Sequence, residues 1–478
     1  MRHRDPRARS TNERPVLERV CEARRMRSAT GPLLSMLALA ACDSAVAHID
    51  AGFDAGIDAA VCSTCTTVFD RPVLVDSRPA GTVQREPSIG IDSAGVVWVA
   101  YIEYPVAGEA AHVRFTRSID EGRSFEPSRE ACSRCGDPVI RIDAEDRVFL
   151  SVIVLSSPRA VAITRIDDRA DNPREFVQAN APTDPHADRE WVALGPAGEI
   201  FVTWNAGIGA ESALFVAKSV DHGRTFGAPV RVAQPAPGET IVYGAIAVGD
   251  DGAVNIIFPS GVVNAGGTDI VTGRLTFVRS TDGGASFLPS VELPTRMRQD
   301  LSGEVGGLRT VLMGFPSIEA ASDGTILVTW SQQRADSPDG VDIVTARSAD
   351  GRVFSPPVRV NDDVQPTVHT LPWTSLDTDG LLHVFWLDAR EHTGGARPQW
   401  AIYYASSRDS GRSFTPNQRL SMQGFSGDPN GRDTLAIGHI GEFNAIASGG
   451  GRVHAVWSGA DIASADVDVF LASGRIVP

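Results

Sequence analysis

One short phrase, S-x-D-x-G-x-x-F, recurs along this chain and constrains its fold more than any other feature. Four copies match it in full and a fifth has lost one residue. The full copies are Ser118, Asp120, Gly122, Phe125; Ser219, Asp221, Gly223, Phe226; Ser280, Asp282, Gly284, Phe287; and Ser407, Asp409, Gly411, Phe414. The shortened copy is Ser348, Asp350, Gly351, Phe354. A period of roughly 50–70 residues predicts a repeat architecture.

Each residue type in the phrase suits a hairpin turn. The phrase follows an apolar strand pattern such as Leu275-Thr-Phe-Val and precedes an extended segment. Ser and Asp oxygens can accept hydrogen bonds from backbone N–H groups of a turn. Gly accepts a positive φ that other residues resist, and the Phe can fold back into the apolar layer. We therefore interpret the phrase as a structural turn and not as a metal or catalytic site.

A pair of strands precedes each phrase, so the repeat is longer than the phrase itself. The first strand runs into a Gly- or Asp-rich turn, and the second alternates large apolar residues and often ends in Trp, as at Val97–Tyr101 and Leu327–Trp330. Such alternation indicates strands rather than helices. Seven such units can be counted. The second carries a decayed phrase near Thr164–Asp167, and the seventh carries none.

The seventh unit also lacks the segment F-x-x-P-V-x-V that follows two of the phrases, at 226–232 and 354–360. That spelling appears once out of place, at Phe69–Val75, before the first unit. A closed ring of sheets often lets one terminus complete its last sheet and so hides two edges. We therefore predict that 69–79 forms the outer strand of the blade whose inner strands lie in 442–478.

The repeated phrase resembles the Asp-box of the sialidase-like, BNR-repeat proteins. The resemblance extends as a pattern over most of 69–478. It implies an all-β fold, a β-propeller of four-stranded blades. Seven blades are preferred from the unit count, and six blades, as in catalytic sialidases, are the alternative. The resemblance is specific for the fold and says little about activity.

The N-terminus predicts export and lipid attachment. Arg24, Arg25 and Arg27 precede the apolar run Leu33–Ala41, which is too short to span a bilayer. The run ends in Leu39-Ala-Ala-Cys42, which looks like a bacterial lipobox with Cys42 as the lipidated residue. We expect three regions: an upstream extension and signal peptide at 1–41, an acidic tether at 42–66 and the propeller at 67–478. The expected location is the bacterial cell envelope, facing the periplasm or the exterior.

Two C-x-x-C pairs remain after Cys21 and Cys42 are set aside: Cys62 with Cys65, and Cys132 with Cys135. In an exported protein such cysteines favour disulfides. A four-thiolate zinc site is the alternative. The closure prediction suggests that both pairs could meet at the seam of the ring. Otherwise no metal and no cofactor is expected.

Charge limits the partners. Residues 1–41 contain nine Arg and four acidic residues, so the rest of the chain carries a net charge of about −20. Such an acidic protein is a poor candidate for binding nucleic acid. We expect a monomer that contacts the membrane through its lipid and that binds a glycan or an envelope protein.

The candidate site residues lie where the strands of the first hairpins begin and end. Arg85, Arg189, Arg334, Asp388 and Arg390 are candidate ligand contacts, because converging Arg side chains can hold a carboxylate sugar. Arg85-Glu-Pro87 also stands where sialidases have an R-I-P motif, with Glu in place of Ile. For this Arg set a structural role in local ion pairs is favoured, and ligand binding is the alternative.

Catalysis is weakly supported by the sequence. The resemblance implies a Tyr–Glu nucleophile pair and an acid, but no Tyr stands in a convincing position. Glu103 and Glu442 are only weak candidates for the acid. The preferred function is therefore ligand binding through the axial face of the propeller. An exo-sialidase or related glycoside hydrolase is the alternative, and a structural scaffold in an envelope complex is a third possibility.

Overall fold

The computed structural model describes residues 66–79, 81–105, 110–166, 173–181, 186–207, 212–263, 270–295, 315–334, 336–337, 340–392, 399–425, 441, 443–460 and 466–477. Within these ranges the chain forms seven antiparallel sheets. Each sheet is one blade of a seven-bladed β-propeller, which confirms the predicted fold class. No helix that could cross a membrane occurs in the ranges given above.

The first two strands, β1 (Thr66–Phe69) and β2 (Val73–Leu74), belong to the last blade, and blades one to three follow them. Blade one contains β3 (Val83–Ile91), β4 (Val97–Tyr104), β5 (His112–Ser118) and β6 (Arg129–Ser133). Blade two contains β7 (Cys135–Ile142), β8 (Val148–Val154), β9 (Ala160–Ile166) and β10 (Val177–Gln178). Blade three contains β11 (Asp188–Leu194), β12 (Ile200–Ala206), β13 (Ala213–Ser219) and β14 (Val230–Ala233).

Blade four has a divided inner strand, and the other blades repeat the four-strand pattern. Its strands are β15 (Glu239–Ile241), β16 (Ala245–Val248), β17 (Val254–Val263), β18 (Ile270–Ser280) and β19 (Val291–Glu292). Blade five contains β20 (Ser317–Ala320), β21 (Ile326–Gln333), β22 (Val341–Ser348) and β23 (Val358–Arg359). Blade six contains β24 (His369–Leu376), β25 (Leu382–Asp388), β26 (Ala401–Ser407) and β27 (Gln418–Arg419). Blade seven contains β28 (Ala445–Gly449), β29 (Arg452–Ala460) and β30 (Val467–Val477).

The N-terminal strand closes the ring, as predicted. Both β1 and β2 pair antiparallel with β30, with Thr66 opposite Val477 and Val73 opposite Leu471. The same segment contacts both neighbouring blades. The Phe69 ring packs edge-on against Tyr404 of blade six, with ring centroids 4.8 Å apart. On the other side, the Tyr101 hydroxyl of blade one donates to a carboxylate oxygen of Asp76 at 2.5 Å.

The repeated phrase forms a hydrogen-bonded turn. In the first copy the Gly122 N–H donates to Ser118 Oγ at 2.8 Å, and Ser118 Oγ donates to Asp120 Oδ1 at 2.7 Å. The hydroxyl of Ser124 donates to the other oxygen of Asp120 at 2.6 Å. Hydrogen bonds from Ser124 and Ser118 lower the pKa of Asp120 to about 2. Thr225, Ser286 and Ser413 repeat the Ser124 contact, while the shortened copy has Val353 nearby and no such hydroxyl contact.

The glycine of each phrase also joins neighbouring blades. Gly122 has a φ of +82°, and a Cβ built there would lie 2.9 Å from Leu471 of blade seven. A Cβ at Gly351 would lie 2.9 Å from the Phe277 ring of blade four. Both the left-handed backbone and the close approach therefore require Gly. Each of the five phrases packs its glycine on the preceding blade, so the phrase stabilises the ring as well as the hairpin.

Candidate functional site

The axis of the propeller has two ends, which we name by the inner strands that surround it. The start face is the end at which these inner strands begin, near Glu86 and Arg189. The turn face is the end at which they stop, near Ile91 and Ser448, and there the repeated phrases also lie. Strand pairing fixes this placement, because Ser118 of the first phrase is opposite Val97, just after the turn that follows Ile91.

Five aromatic side chains close the axis in its middle. They come from the inner edges of five blades and are Trp191, Tyr243, Phe315, Trp373 and Phe443, which are at most 8 % exposed. The Trp191 and Trp373 rings stack with centroids 5.0 Å apart, although blades three and six are not neighbours. Since such a contact must cross the axis, these residues form an aromatic plug.

A cavity of about 330 Å³ lies between the plug and the turn face. Its walls are the final residues of all seven inner strands, and Trp191 and Trp373 are among its lining residues. We call this cavity the axial pocket. Its size falls in the range that small-molecule sites usually have.

A ring of seven aligned positions lines the axial pocket, and only two of them are charged. The register with the second strands aligns Gly90, Arg141, Ala193, Ala247, Glu319, Ser375 and Ala447. The preceding positions carry β-branched residues in every blade, and these pack between blades: Ile89, Ile140, Val192, Ile246, Ile318, Thr374 and Ile446. Alternation along a strand therefore turns the ring positions toward the axis.

Arg141 is held rigidly at the wall of the axial pocket. Its Nε donates to Val192 O at 2.9 Å and its Nη1 donates to Ile140 O at 2.8 Å. The guanidinium carbon lies 4.9 Å from the centroid of the Trp191 ring, a cation–π contact. Burial lowers the pKa of Arg141, while the charge of Glu319 raises it. A guanidinium nevertheless remains protonated near neutral pH.

Glu319 is the only carboxylate among the residues described as lining the axial pocket. Thr374 Oγ1 donates to Glu319 Oε1 at 2.9 Å. That hydroxyl in turn lies 2.6 Å from Ser317 Oγ, so Ser317 must donate to it. Burial raises the pKa of Glu319 to about 7, even though the Thr374 hydrogen bond and the charge of Arg141 lower it. The group therefore titrates near physiological pH.

Glu103, one of the two candidate acids, is buried in ion pairs. It contacts Arg78, with Nε and Oε2 2.5 Å apart, and lies 3.7 Å from Arg114. Arg85, on the neighbouring strand, is 1 % exposed and lies over the Tyr104 ring. Glu442, the other candidate acid, lies outside the described residues. Glu103 thus holds blade one and the N-terminal segment together.

Arg334, Asp388 and Arg390 lie in ion pairs at the start-face ends of blades five and six. Arg334 pairs with Asp336 at 3.0 Å. Arg390 pairs with Asp388 at 2.8 Å and with Asp362 at 2.8 Å. Asp388 is fully buried and also accepts from Trp386 Nε1 at 2.9 Å. Arg85 lies over the Tyr104 ring of blade one, whereas Arg334 and Arg390 pair with carboxylates of blades five and six.

Arg189 alone among the candidate contacts lies at the plug. Its guanidinium is 5.9 Å from the centroid of the Phe315 ring, on the start face. The next residue, Glu190, is fully buried and accepts from Ser151 Oγ at 3.1 Å. Burial and the charge of Asp137 raise the pKa of Glu190 well above its usual range.

A disulfide joins Cys132 to Cys135 at the junction of blades one and two. Cys132 is opposite Val113, near the start face. Thr66, the residue after Cys65, is opposite Val477, near the turn face. Cys62 and Cys65 lie outside the described residues, so a meeting of the two cysteine pairs at the seam stays a prediction. No cluster of three or more His, Cys, Asp or Glu that could hold a metal occurs among the described residues.

The sequence interpretation missed Arg141 and Glu319 because it searched the opposite end of the axis. A signal was present in the repeats. When the inner strands are aligned, the ring position is Gly, Ala or Ser in five units, and Arg or Glu in the other two. This alignment shows two charged residues at a position that faces the axis. The other five units have a small residue there.

The fold defines a class of protein: in its described part the chain is a seven-bladed β-propeller with a pocket on its axis. A solved ulvan lyase, from a new family of polysaccharide lyases, is 12% identical, and the match covers 84% of this chain and 95% of that one with a TM-score of 0.54. A protein of unknown function from Dyadobacter fermentans is 11% identical over 86% of this chain and 99% of that one, with a TM-score of 0.49.

A mutant of the NanB sialidase from Streptococcus pneumoniae is 11% identical over 66% of this chain and 67% of that one, with a TM-score of 0.45. At such identities the likeness shows the fold alone. No family model matches the chain, and no curated protein matches it.

Proposed function

We propose that this propeller binds a saccharide in its axial pocket. The observation that carries the proposal is the composition of the pocket wall. It combines two stacked Trp rings with an Arg, a carboxyl and several hydroxyls, among them Ser375 and Ser448, whose Oγ atoms are 2.8 Å apart. Apolar ring faces and a few placed polar groups are what a small-ligand site requires.

Two further points support a glycan over another ligand class. The ulvan lyase of similar fold was solved with a bound saccharide, -[GlcA(1-4)Rha3S]-. The repeated phrase also resembles that of the sialidase-like, BNR-repeat family. Both points favour a glycan-related role for the propeller.

We prefer binding to hydrolysis because the described wall of the axial pocket has too few carboxyl groups for the usual hydrolytic mechanism. Most glycoside hydrolases place two carboxyl groups on either side of the scissile bond. Glu319 is the only one in the described wall of the axial pocket. The exo-sialidase alternative keeps one favourable feature, a carboxyl whose pKa lies near 7. A fluorogenic sialoside distinguishes the two functions, and our proposal expects no turnover.

A blocking variant tests the binding proposal. Ala247 lines the axial pocket, so Ala247→Phe should fill part of it and weaken saccharide binding at least tenfold. Ala349→Phe is the matched control, because Ala349 is exposed in the turn of the shortened phrase. A glycan panel identifies a ligand for the wild type, and calorimetry then compares the variants. Equal affinity of the two variants for that ligand would contradict the proposal.

We also propose that Cys42 carries a lipid and that 42–66 tethers a monomeric propeller to the bacterial envelope. The lipobox-like sequence supports this, and the cysteine lies outside the described residues. The described chain starts at Thr66, on the turn face. Mass spectrometry of the mature N-terminus tests the anchor, with Cys42→Ser as control, and an unmodified N-terminus elsewhere would contradict it.

A further inference from the structure

The charge of the axial pocket depends on two side chains that lie on opposite sides of the axis. Arg141 belongs to blade two and Glu319 to blade five. The other five ring positions are Gly90, Ala193, Ala247, Ser375 and Ala447, none of which can titrate. The described wall therefore has one fixed positive charge and one carboxyl that can gain or lose a proton.

The strands packed against Glu319 supply no competing charge. β16, β17 and β21 contain no ionisable residue. β24 contains one, His369, which lies at the start-face end of that strand. There His369 contacts Asp363 at 3.1 Å and Asp388 at 3.3 Å, so it belongs to the ion-pair network of Asp388 and Arg390. Arg141 also interacts electrostatically with Tyr243, whose burial raises its pKa well above the usual range.

Protonation of Glu319 thus changes the pocket in a defined way. With Glu319 ionised, its charge offsets that of Arg141, and the wall is neutral overall. With Glu319 protonated, the guanidinium is uncompensated and the wall is positive. Arg141 already donates to two carbonyls, which leaves the remaining N–H groups of its guanidinium for a ligand. An anionic group would be attracted in the second state and repelled by Glu319 in the first.

We propose that Glu319 is a protonation switch that makes the axial pocket bind anionic saccharides at mildly acidic pH and release them as the pH rises past neutrality. This inference rests on the proposed saccharide binding and adds the charge of the ligand and its regulation. The anionic group is a carboxylate or a sulfate, since both accept hydrogen bonds from a guanidinium. The pKa of Glu319, about 7, places the change in the physiological range.

Calorimetric titrations at pH 5.5, 6.5, 7.5 and 8.5 test the switch. The probes are cellobiose, its uronic-acid counterpart, a sulfated disaccharide and inorganic sulfate. We expect affinity for the charged disaccharides to fall about tenfold or more from the lowest to the highest pH, while that for cellobiose stays constant. Glu319→Gln should bind the anions with the acidic-pH affinity throughout. Glu292→Gln, at an exposed site on β19, is the control and should behave as the wild type.

The outcomes separate the two proposals. Sulfate binding with the expected pH profile, but no affinity for any saccharide, would overturn the saccharide proposal and leave the switch. Binding of charged and neutral disaccharides with equal, pH-independent affinity would overturn the switch and leave the saccharide proposal. A wild-type pH profile in Glu319→Gln would likewise assign the titration to another group. If no probe binds at any pH, both proposals are wrong.

Discussion

The two ends of the propeller axis differ in what their side chains do. Toward the start face, five aromatic rings fill the axis, and the Arg189 guanidinium lies 5.9 Å from the centroid of one of them, Phe315. Toward the turn face, the same strands carry Gly, Ala and Ser, and a pocket remains. Large side chains on the inner edges of the blades fill the axis of this propeller. Small side chains two residues later, such as Ala193 and Ser375, leave space for the axial pocket.

The largest expected effect comes from the plug. Phe443→Ala removes a ring that contacts Phe315, Trp191 and Tyr243 with centroids 5.1–6.0 Å apart. Because the cavity left behind cannot collapse within a closed ring, we expect a loss of about 3–5 kcal/mol in the free energy of unfolding. Urea denaturation measures it. Ser375→Ala, in the wall of the axial pocket, should change the free energy of unfolding by less than about 1 kcal/mol. Equal losses in Phe443→Ala and Ser375→Ala would show that the two ends do not differ in this way.

The two ends of the axis exist only if the ring is closed, and β1 helps to close it. Two neighbouring residues of β1 allow this closure to be tested. Phe69 packs on Tyr404 of blade six, whereas Val68, on the other side of the strand, is 49 % exposed. Phe69→Ala should cost about 2 kcal/mol of unfolding free energy. Val68→Ala should cost under about 0.5 kcal/mol. If thermal unfolding is the same for both variants, β1 does not stabilise the seam.

The repeated phrases lie on the turn face, and their contribution should depend on the hydroxyl that the fifth copy lacks. Asp409 accepts from Ser407 Oγ and Ser413 Oγ, at 2.8 and 2.6 Å. Asp409→Ala should cost about 1 kcal/mol of unfolding free energy. Asp350→Ala should cost less, because the hydroxyl contact of the full copies is missing there. A larger loss at Asp350 would show that these hydrogen bonds are not what stabilises the turn.

A further expected effect depends on pH. The folded-state pKa of Glu319 is about 7, raised from 4.5 by burial. A carboxyl with a raised folded-state pKa stabilises the fold while protonated, so this contribution declines as the pH rises from about 4.5 to 7. Glu319→Gln should therefore be more stable than the wild type at pH 8 and similar at pH 4.5. Urea unfolding midpoints of the wild type and Glu319→Gln at pH 8 and pH 4.5 measure this difference in stability. A difference that does not change with pH would show that the pKa of Glu319 does not lie between these two values.

Most of the fold could be predicted from the sequence, because the repeat encodes it locally. The phrase Ser118–Phe125 specifies its own turn, and the displaced Phe69–Val75 segment indicates the closing strand. The site could not be predicted in the same way. Arg141 and Glu319 are 178 positions apart in the sequence. They line the same pocket only when the ring closes. The Arg residues that were singled out stand at strand ends, where pairing with a nearby Asp competes with ligand binding, as for Arg334 and Arg390.

A paired titration at the two ends of the axis tests whether the ligand binds in the axial pocket. The same saccharide is titrated by calorimetry at pH 5.5 into the wild type, Arg141→Gln and Arg189→Gln, with melting curves to confirm folding. The account predicts that Arg141→Gln weakens binding at least about tenfold, since a charged hydrogen-bond donor is worth about 1.5–3 kcal/mol. It predicts wild-type affinity for Arg189→Gln. Loss of binding in Arg189→Gln with none in Arg141→Gln would contradict it and place the ligand on the start face.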